Sequence, residues 1–338
     1  MTTVRFGVVG TSAITEWFIK AGKKIEGFEL KAVYSRSMEK AEEFGKKHRA
    51  ELFFDDLDAM SKCDEIDAIY IASPNFMHKE QAILCMNNGK NVLCEKPFAT
   101  NKRDAEEMVK CARENNVLLM EEMRLTCTPN FQNVKNNLDK IGKIRRYSAN
   151  YCQYSSRYDK FKEGIVLNAF KRELSNGALM DIGVYCIHPM VNLFGRPNSL
   201  KANAVKLSTG VDGEGGIILE YDDMLADIRY SKITHSNIPT EIQGEDGSII
   251  VDKISTFGDV RVEYRKGGVE DITAELEVEK DERFEVDSIY CAVKEFMKSL
   301  REGKKESDIN TLENTLIVME IMDEVRRQID LVYPADEN

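Results

Sequence analysis

Residues 4–15 read VRFGVVGTSAIT: an apolar run, then a glycine, then small and polar residues with helix-like sequence beyond them. The run predicts a strand, and Gly10 ends it at the first glycine place of G-x-G-x-x-G, with Ser12 and Thr15 in the second and third. That pattern serves a tight strand-to-helix turn whose backbone N–H groups face a pyrophosphate at a helix N-terminus. Gly10 meets the demand of the turn. Ser12 still permits close approach and offers a hydroxyl, whereas Thr15 asks for more room between helix and strand. Gly10, Thr11, Ser12, Ala13 and Ile14 are therefore candidate cofactor-binding residues, and their place directly after a first strand is the required context.

Working outward, the first ~120 residues alternate short apolar runs with helical patterns, the rhythm of a parallel sheet with crossover helices. ELKAVYS, ELFF, IDAIYIAS, NVLCEKP and VLLMEE follow the first run as strands. Ser37 is a candidate N-cap for the second helix, and Gly89 a stop signal for the third, KEQAILCMNNG. Six strand-like runs predict a doubly wound nucleotide-binding sheet over residues 1–123.

Beyond residue 123 the texture changes. KIRRYSANYCQY reads as a longer strand, GALMDIGVYCIHPMVNLF as a buried helix, and residues 199–265 as long strands separated by turns such as DGEGG and GEDG. The expectation is an α+β domain over 124–304 with a large, mainly antiparallel open sheet. Residues 305–338 should add a helix packing back on the rest, on the spacing of Leu312, Leu316, Met319, Ile321 and Val325.

Composition narrows the function classes. A formal net charge of -11 argues against nucleic-acid or anionic-membrane partners, both of which need a basic surface. No apolar stretch looks long enough for the ~20 residues that cross a bilayer. The opening residues lack a basic, signal-like start, so a cytoplasmic setting is expected. The eight cysteines make no C-x-x-C pair and sit mostly in apolar segments, so reduced thiols are expected rather than disulfides or zinc. The four histidines lie far apart, and no metal site is expected.

At the end of the second strand, YSRS (Tyr34 to Ser37) offers no acid for ribose hydroxyls. Ser35 and Arg36 suit a 2'-phosphate instead, because a guanidinium presents forked donors. NADP is therefore expected, with NAD possible. Ser73, Pro74 and Asn75 end a parallel strand, where such folds meet the ribose and nicotinamide; with His78, which is expected to cap the following helix, they are candidate cofactor-binding residues.

CEKP (94–97), IASPNFMH (71–78), GALMDIGVY (177–185) and the glycine turn together resemble the glucose–fructose oxidoreductase / inositol dehydrogenase (Gfo/Idh/MocA) family, in order across nearly the whole chain. Within it, Tyr185 points to the branch of dimeric dihydrodiol dehydrogenase and NADP-dependent sugar dehydrogenases. The resemblance implies that Lys96 sits beside the nicotinamide and the reacting carbon, with Glu95 and Pro97 positioning the turn and all three candidate cofactor-binding residues. An ammonium there stabilises developing oxyanion charge. Asp181, Tyr185 and His188 fall on one stripe at helical spacing. Tyr185 is assigned as general acid/base, with Asp181 orienting substrate hydroxyls or Lys96. His188 is as well explained as a core histidine as a substrate contact. Where the family often carries arginine before the proline of TCTPNF, Thr126 stands here, with Arg124 displaced by two.

The expected function is hydride transfer between a nicotinamide and a secondary alcohol or hemiacetal carbon of a sugar, polyol or dihydrodiol-like substrate. The rival is a binding protein that kept the nucleotide fold and lost turnover. An open sheet leaves a face to cover, so a homodimer or homotetramer through the C-terminal sheet is expected.

Overall fold

The computed structural model describes residues 2–275, 278, 281 and 284–337, with Phe284 known by its backbone alone. The chain divides into two compact units: Met1–Arg124 with Glu277–Thr315, and Leu125–Leu276 with Leu316–Asn338.

In the first unit, β1 (Val4–Val9), α1 (Ala13–Gly22), β2 (Phe28–Tyr34), α2 (Met38–His48), β3 (Leu52–Phe54), α3 (Leu57–Ser61), β4 (Ala68–Ile71), α4 (His78–Asn87), β5 (Asn91–Glu95), α5 (Lys102–Glu114) and β6 (Leu119–Glu122) alternate; the six strands and the longer helices are those expected, and α3 is a short helix the sequence reading did not include. The strands form one parallel sheet in the order β3-β2-β1-β4-β5-β6. The order reverses at β1 and β4, which makes the carboxyl ends of these strands the place where such a sheet meets its ligand. Apolar strands suit this position because both faces are covered: all four residues of β4 are buried. Phe6, fully buried, lies 5.5 Å from Phe18, 5.0 Å from Phe28 and 5.9 Å from Phe296 on α9 (Phe284–Arg301) of the same unit. Burying one such ring contributes roughly 1.5–3 kcal/mol.

The second unit begins with α6 (Pro129–Asn136), capped by Thr128, whose Oγ1 accepts the Phe131 N–H. Then follow β7 (Ile144–Cys152), α7 (Tyr158–Lys162), α8 (Val184–Phe194), β8 (Ser199–Lys206), β9 (Asp212–Glu220), β10 (Leu225–Ser231), β11 (Thr240–Gly244), β12 (Gly247–Val251), β13 (Val260–Tyr264) and β14 (Val269–Asp271). The eight strands are ordered β14-β13-β12-β11-β7-β10-β9-β8. The sheet is mixed, because β7 and β10 pair in parallel; a parallel pair needs a long crossover, and the segment carrying α8 supplies it. Tyr147 on β7 is buried and donates to the Cys186 carbonyl on α8 at 3.0 Å, fixing helix on sheet. The last helix, α10 (Leu312–Gln328), carries Gln328, whose amide bonds the Ala202 N–H and the Leu200 carbonyl on edge strand β8. A side chain thus blunts an edge that would otherwise offer open backbone groups.

One expectation is corrected. By length and composition, Arg172–Phe194 holds an 18-residue window of mean hydropathy 1.2, which is what a bilayer-crossing helix needs. Yet 78% of its apolar window is buried inside the protein. The run is also broken at Ser175 (φ 55°) and Gly177 (φ 152°), so the hydrophobicity serves the core.

Candidate active site

The nucleotide half lies within the first unit. A cavity of about 260 Å³ opens at the carboxyl ends of three strands, lined by Gly10, Thr11 and Ser12 after β1, by Tyr34 at the end of β2 with Ser35 and Arg36 beyond it, and by Ala72, Ser73 and Pro74 after β4. Gly10 has φ 108°, a left-handed value that favours glycine, and a Cβ there would lie 2.8 Å from the Ala72 carbonyl oxygen. Ser12 is the N-cap of α1 but makes no side-chain cap hydrogen bond, so its hydroxyl is not spent on the helix. Ala13 and Ile14 form the first turn of α1 behind it. Thr15 is fully buried at the start of α1. Arg36 is exposed at the rim, and no Asp or Glu lines the cavity. A glycine cradle, a helix N-terminus and a rim guanidinium together fit a dinucleotide with a phosphorylated ribose.

His78 corrects a sequence expectation. The cap position of α4 belongs to Met77, and His78 is fully buried in the first turn. Its Nδ1 lies 3.0 Å from the Pro97 carbonyl and its Nε2 3.0 Å from the Ser73 carbonyl. Burial pushes its pKa down, favouring the neutral ring. The imidazole ties the loop after β4 to the turn after β5, and Ser73 adds a hydroxyl bond to Gln81 at 2.7 Å. Asn75 opens a short 3₁₀ turn just before α4.

That second loop carries the E-K-P motif. Glu95 is buried at the end of β5; its Oε1 accepts the Tyr70 hydroxyl at 2.5 Å and its Oε2 the Lys96 N–H at 3.2 Å. Lys96 is half-exposed, and the Lys96–Pro97 peptide is cis. Beside Glu95 in the β5–β6 register stands Glu122, also buried. Burial, and then the Glu95 charge, push its carboxyl well above the usual range. Glu121, on the opposite face of β6, accepts the Thr315 hydroxyl at 2.9 Å. Sequence reasoning missed Tyr70 and Glu122. Consecutive glutamates at a buried strand end were the available signal.

The helix that carries Asp181, Tyr185 and His188 lies within the second unit, and it is not a straight α-helix. Leu179–Gly183 form a π turn before α8 begins at Val184. The α-helical stripe read through Asp181 and Tyr185 therefore crosses a turn of wider spacing. Asp212, fully buried on β9, accepts the N–H groups of Ala178 at 3.1 Å and Leu179 at 2.6 Å, and so caps the turn. Burial raises the Asp212 carboxyl to about 6 against the lowering effect of those bonds. A Cβ on Gly177 would collide with the same carboxylate. Asp181 forms an ion pair with Lys232, whose side chain is 5% exposed against 32% for Asp181. Tyr185 is 5% exposed, with its ring edge-on to Tyr151 at 5.7 Å. His188 is fully buried further along α8. Lys232 and Asp212 were also missed from sequence, since nothing local marks either one.

A larger depression of about 670 Å³ lies beside β8 and α10. Arg196 pairs there with Glu320 and Arg327 with Glu324, and Lys201 also lines it.

Comparison with known proteins agrees with this arrangement. The sequence matches the family described as "Oxidoreductase family, NAD-binding Rossmann fold" over residues 4–123 and the "GFO/IDH/MocA C-terminal domain" over residues 131–250. It is 52% identical over 334 residues to scyllo-inositol 2-dehydrogenase (NADP(+)) IolU of Bacillus subtilis (strain 168), covering 99% of each chain. It is 28% identical to trans-1,2-dihydrobenzene-1,2-diol dehydrogenase of Xenopus tropicalis, covering 98% of this chain and 99% of that one. Among solved structures, levoglucosan dehydrogenase in complex with NADH superposes with a TM-score of 0.87 at 18% identity, covering 97% of both chains, a likeness of fold. With a glycine-turned parallel sheet, a buried helix on a mixed sheet and family matches over both, the chain belongs to the Gfo/Idh/MocA family of nicotinamide-nucleotide-dependent oxidoreductases.

Proposed function

We propose that this chain is an NADP-preferring dehydrogenase acting on a secondary alcohol carbon of a cyclic polyol such as an inositol. The observation that carries the cofactor choice is Arg36 at the rim of a cavity whose lining contains no carboxylate. An acid there would hold ribose hydroxyls, whereas a guanidinium takes a 2'-phosphate. The 52% identity to an NADP(+)-dependent scyllo-inositol dehydrogenase supports both the cofactor and the substrate class.

In this reading Gly10 to Ile14 hold the pyrophosphate, Ser35 and Arg36 the 2'-phosphate, and Ser73, Pro74, Asn75 and the Glu95–Pro97 turn the nicotinamide side, with His78 bracing the two loops. When bound, the nicotinamide ring accepts or supplies the hydride. Tyr185 takes the hydroxyl proton during oxidation and returns it during reduction, a positioned transfer typically worth ~10²–10⁴ in rate. A phenol titrates near ~10 when alone, so it needs a cation beside it, a role this reading gives to Lys96. Lys96 also stabilises the negative charge that develops on the substrate oxygen. Asp181 accepts from a neighbouring substrate hydroxyl.

The open face of the mixed sheet supports pairing into a homodimer or homotetramer. By register Val205, Ile218 and Leu225 share that face, and they are 52%, 47% and 39% exposed. Light scattering on an Ile218→Glu variant that stayed at the wild-type mass would count against it.

Fluorescence titration with NADPH and NADH, followed by a panel of inositols, other polyols and aldoses with the preferred nucleotide, tests the central claim. NADPH preference, inositol turnover, and losses of about 10² or more in kcat for Lys96→Met and Tyr185→Phe are expected. NADH preference, or no turnover of any polyol, overturns it.

A further inference from the structure

We infer that Lys232 is a positioning residue of the reaction, holding the Asp181 carboxylate in the one orientation from which it addresses the substrate. The inference rests on the reading above, in which Asp181 meets a substrate hydroxyl.

Lys232 is anchored before its side chain begins. It directly follows β10; its N–H donates to the Gly213 carbonyl at 2.9 Å, and its own carbonyl accepts the Ser155 N–H at 2.9 Å. The side chain is almost wholly enclosed, and its ammonium lies 5.8 Å from the centre of the Phe170 ring. Phe170 is itself fully buried, packed with Ala169 and Val211. An ammonium taken out of water in this way requires an opposite charge, and removing that partner is costly.

Two carboxylates answer it, and they differ in what else they do. Asp212 is buried and committed to the Ala178 and Leu179 N–H groups, so its contribution to Lys232 is the attraction of charge at its side. Asp181 binds the ammonium directly through Oδ2, while a third of its side chain stays open to solvent. The pair is therefore asymmetric: a fixed, buried cation and an outward carboxylate. That is the arrangement of a brace. Where surface electrostatics is the only task, both partners are usually exposed and the pair is worth little.

The position of Asp181 in the chain gives the brace its use. The residue lies within the π turn Leu179–Gly183, where side-chain directions are not set by the regular α-helical repeat. An aspartate so placed has several staggered rotamers open to it. Pairing with an immobile ammonium selects one before substrate arrives. Misplacing a positioning group by about 1 Å can cost on the order of 10² in rate.

The test compares Lys232→Met, Lys232→Arg, Asp181→Asn and the double variant Asp181→Asn/Lys232→Met, assayed with NADP and scyllo-inositol, with NADPH affinity followed by fluorescence. Lys232→Met is expected to lower kcat about tenfold or more, to leave NADPH affinity within about twofold, and to be largely rescued in Lys232→Arg. The double variant is expected to be no slower than Asp181→Asn alone, since a brace has no task once its carboxylate is gone. Should circular dichroism show Lys232→Met unfolded, Lys232→Gln takes its place in the same comparison. A slow Asp181→Asn beside an unimpaired Lys232→Met, or losses that multiply in the double variant, overturns the inference while leaving the role of Asp181 standing. An Asp181→Asn enzyme with wild-type turnover, or a wild type inert toward scyllo-inositol, overturns that functional reading and the brace with it.

Discussion

Tyr70 donates its phenolic hydrogen to Glu95 across two neighbouring strands, at 2.5 Å and fully out of water. The donor cannot wander, because its ring stacks on Phe18 with centroids 3.9 Å apart and planes 4° from parallel. The acceptor in turn receives the Lys96 N–H, so a core aromatic sets the turn from which Lys96 projects. Tyr70→Phe keeps the stack and leaves Glu95 short of a donor. We expect a loss of about 1–3 kcal/mol in urea unfolding, together with a lower kcat at nearly unchanged nucleotide affinity. Unchanged stability would mean the bond contributes nothing net.

The glycine at the β1–α1 turn has no substitute. Gly10→Ala places a methyl 2.8 Å from the Ala72 carbonyl oxygen, on a residue whose φ of 108° already suits glycine alone. Strain of this kind costs on the order of 1–3 kcal/mol, and relieving it moves the loop that must approach the pyrophosphate. NADPH titration of the variant should show affinity at least about tenfold weaker.

Cofactor choice should be separable from cofactor binding. Arg36→Ala is expected to weaken NADPH by about tenfold or more while leaving NADH nearly untouched, since in the proposed reading the guanidinium meets only the extra phosphate. Equal losses for the two nucleotides would assign Arg36 to the general binding surface.

Asp212 makes a pH prediction. Its folded carboxyl titrates near 6 against a reference of 3.8, so between these values the folded protein holds a proton that the unfolded chain has released. This contribution to stability therefore falls as pH rises through that window, by roughly 3 kcal/mol at the limit. Asp212→Asn has no such titration. Thermal unfolding of both proteins from pH 4 to pH 7 should show the wild type losing ground to the variant as pH rises. A constant difference would contradict the raised value.

Much of the first unit could be read directly, because its signals are local. Gly10 follows its strand by one residue, Arg36 stands where the second strand ends, and apolar runs at the right spacing define a parallel sheet before any contact is known. The second unit was less legible. Its strands were recognisable, but the parallel pairing of β7 with β10 depends on where a long crossover returns, which no turn signal encodes. His78 looked like a helix cap from its place before an apolar run. Its ring instead reaches the Pro97 carbonyl, nineteen residues away.

The chain's order of residues was enough to specify a nucleotide-binding sheet, its glycine turn and a buried helix with one polar stripe, because each follows from periodicity and backbone geometry over a few neighbouring positions. It was not enough to say what holds the polar groups in place. Asp181 and Lys232 are 51 residues apart, and Asp212 caps N–H groups more than 30 residues away. Partners so distant are chosen by strand register and burial, which force an enclosed charge to find its opposite wherever folding brings one.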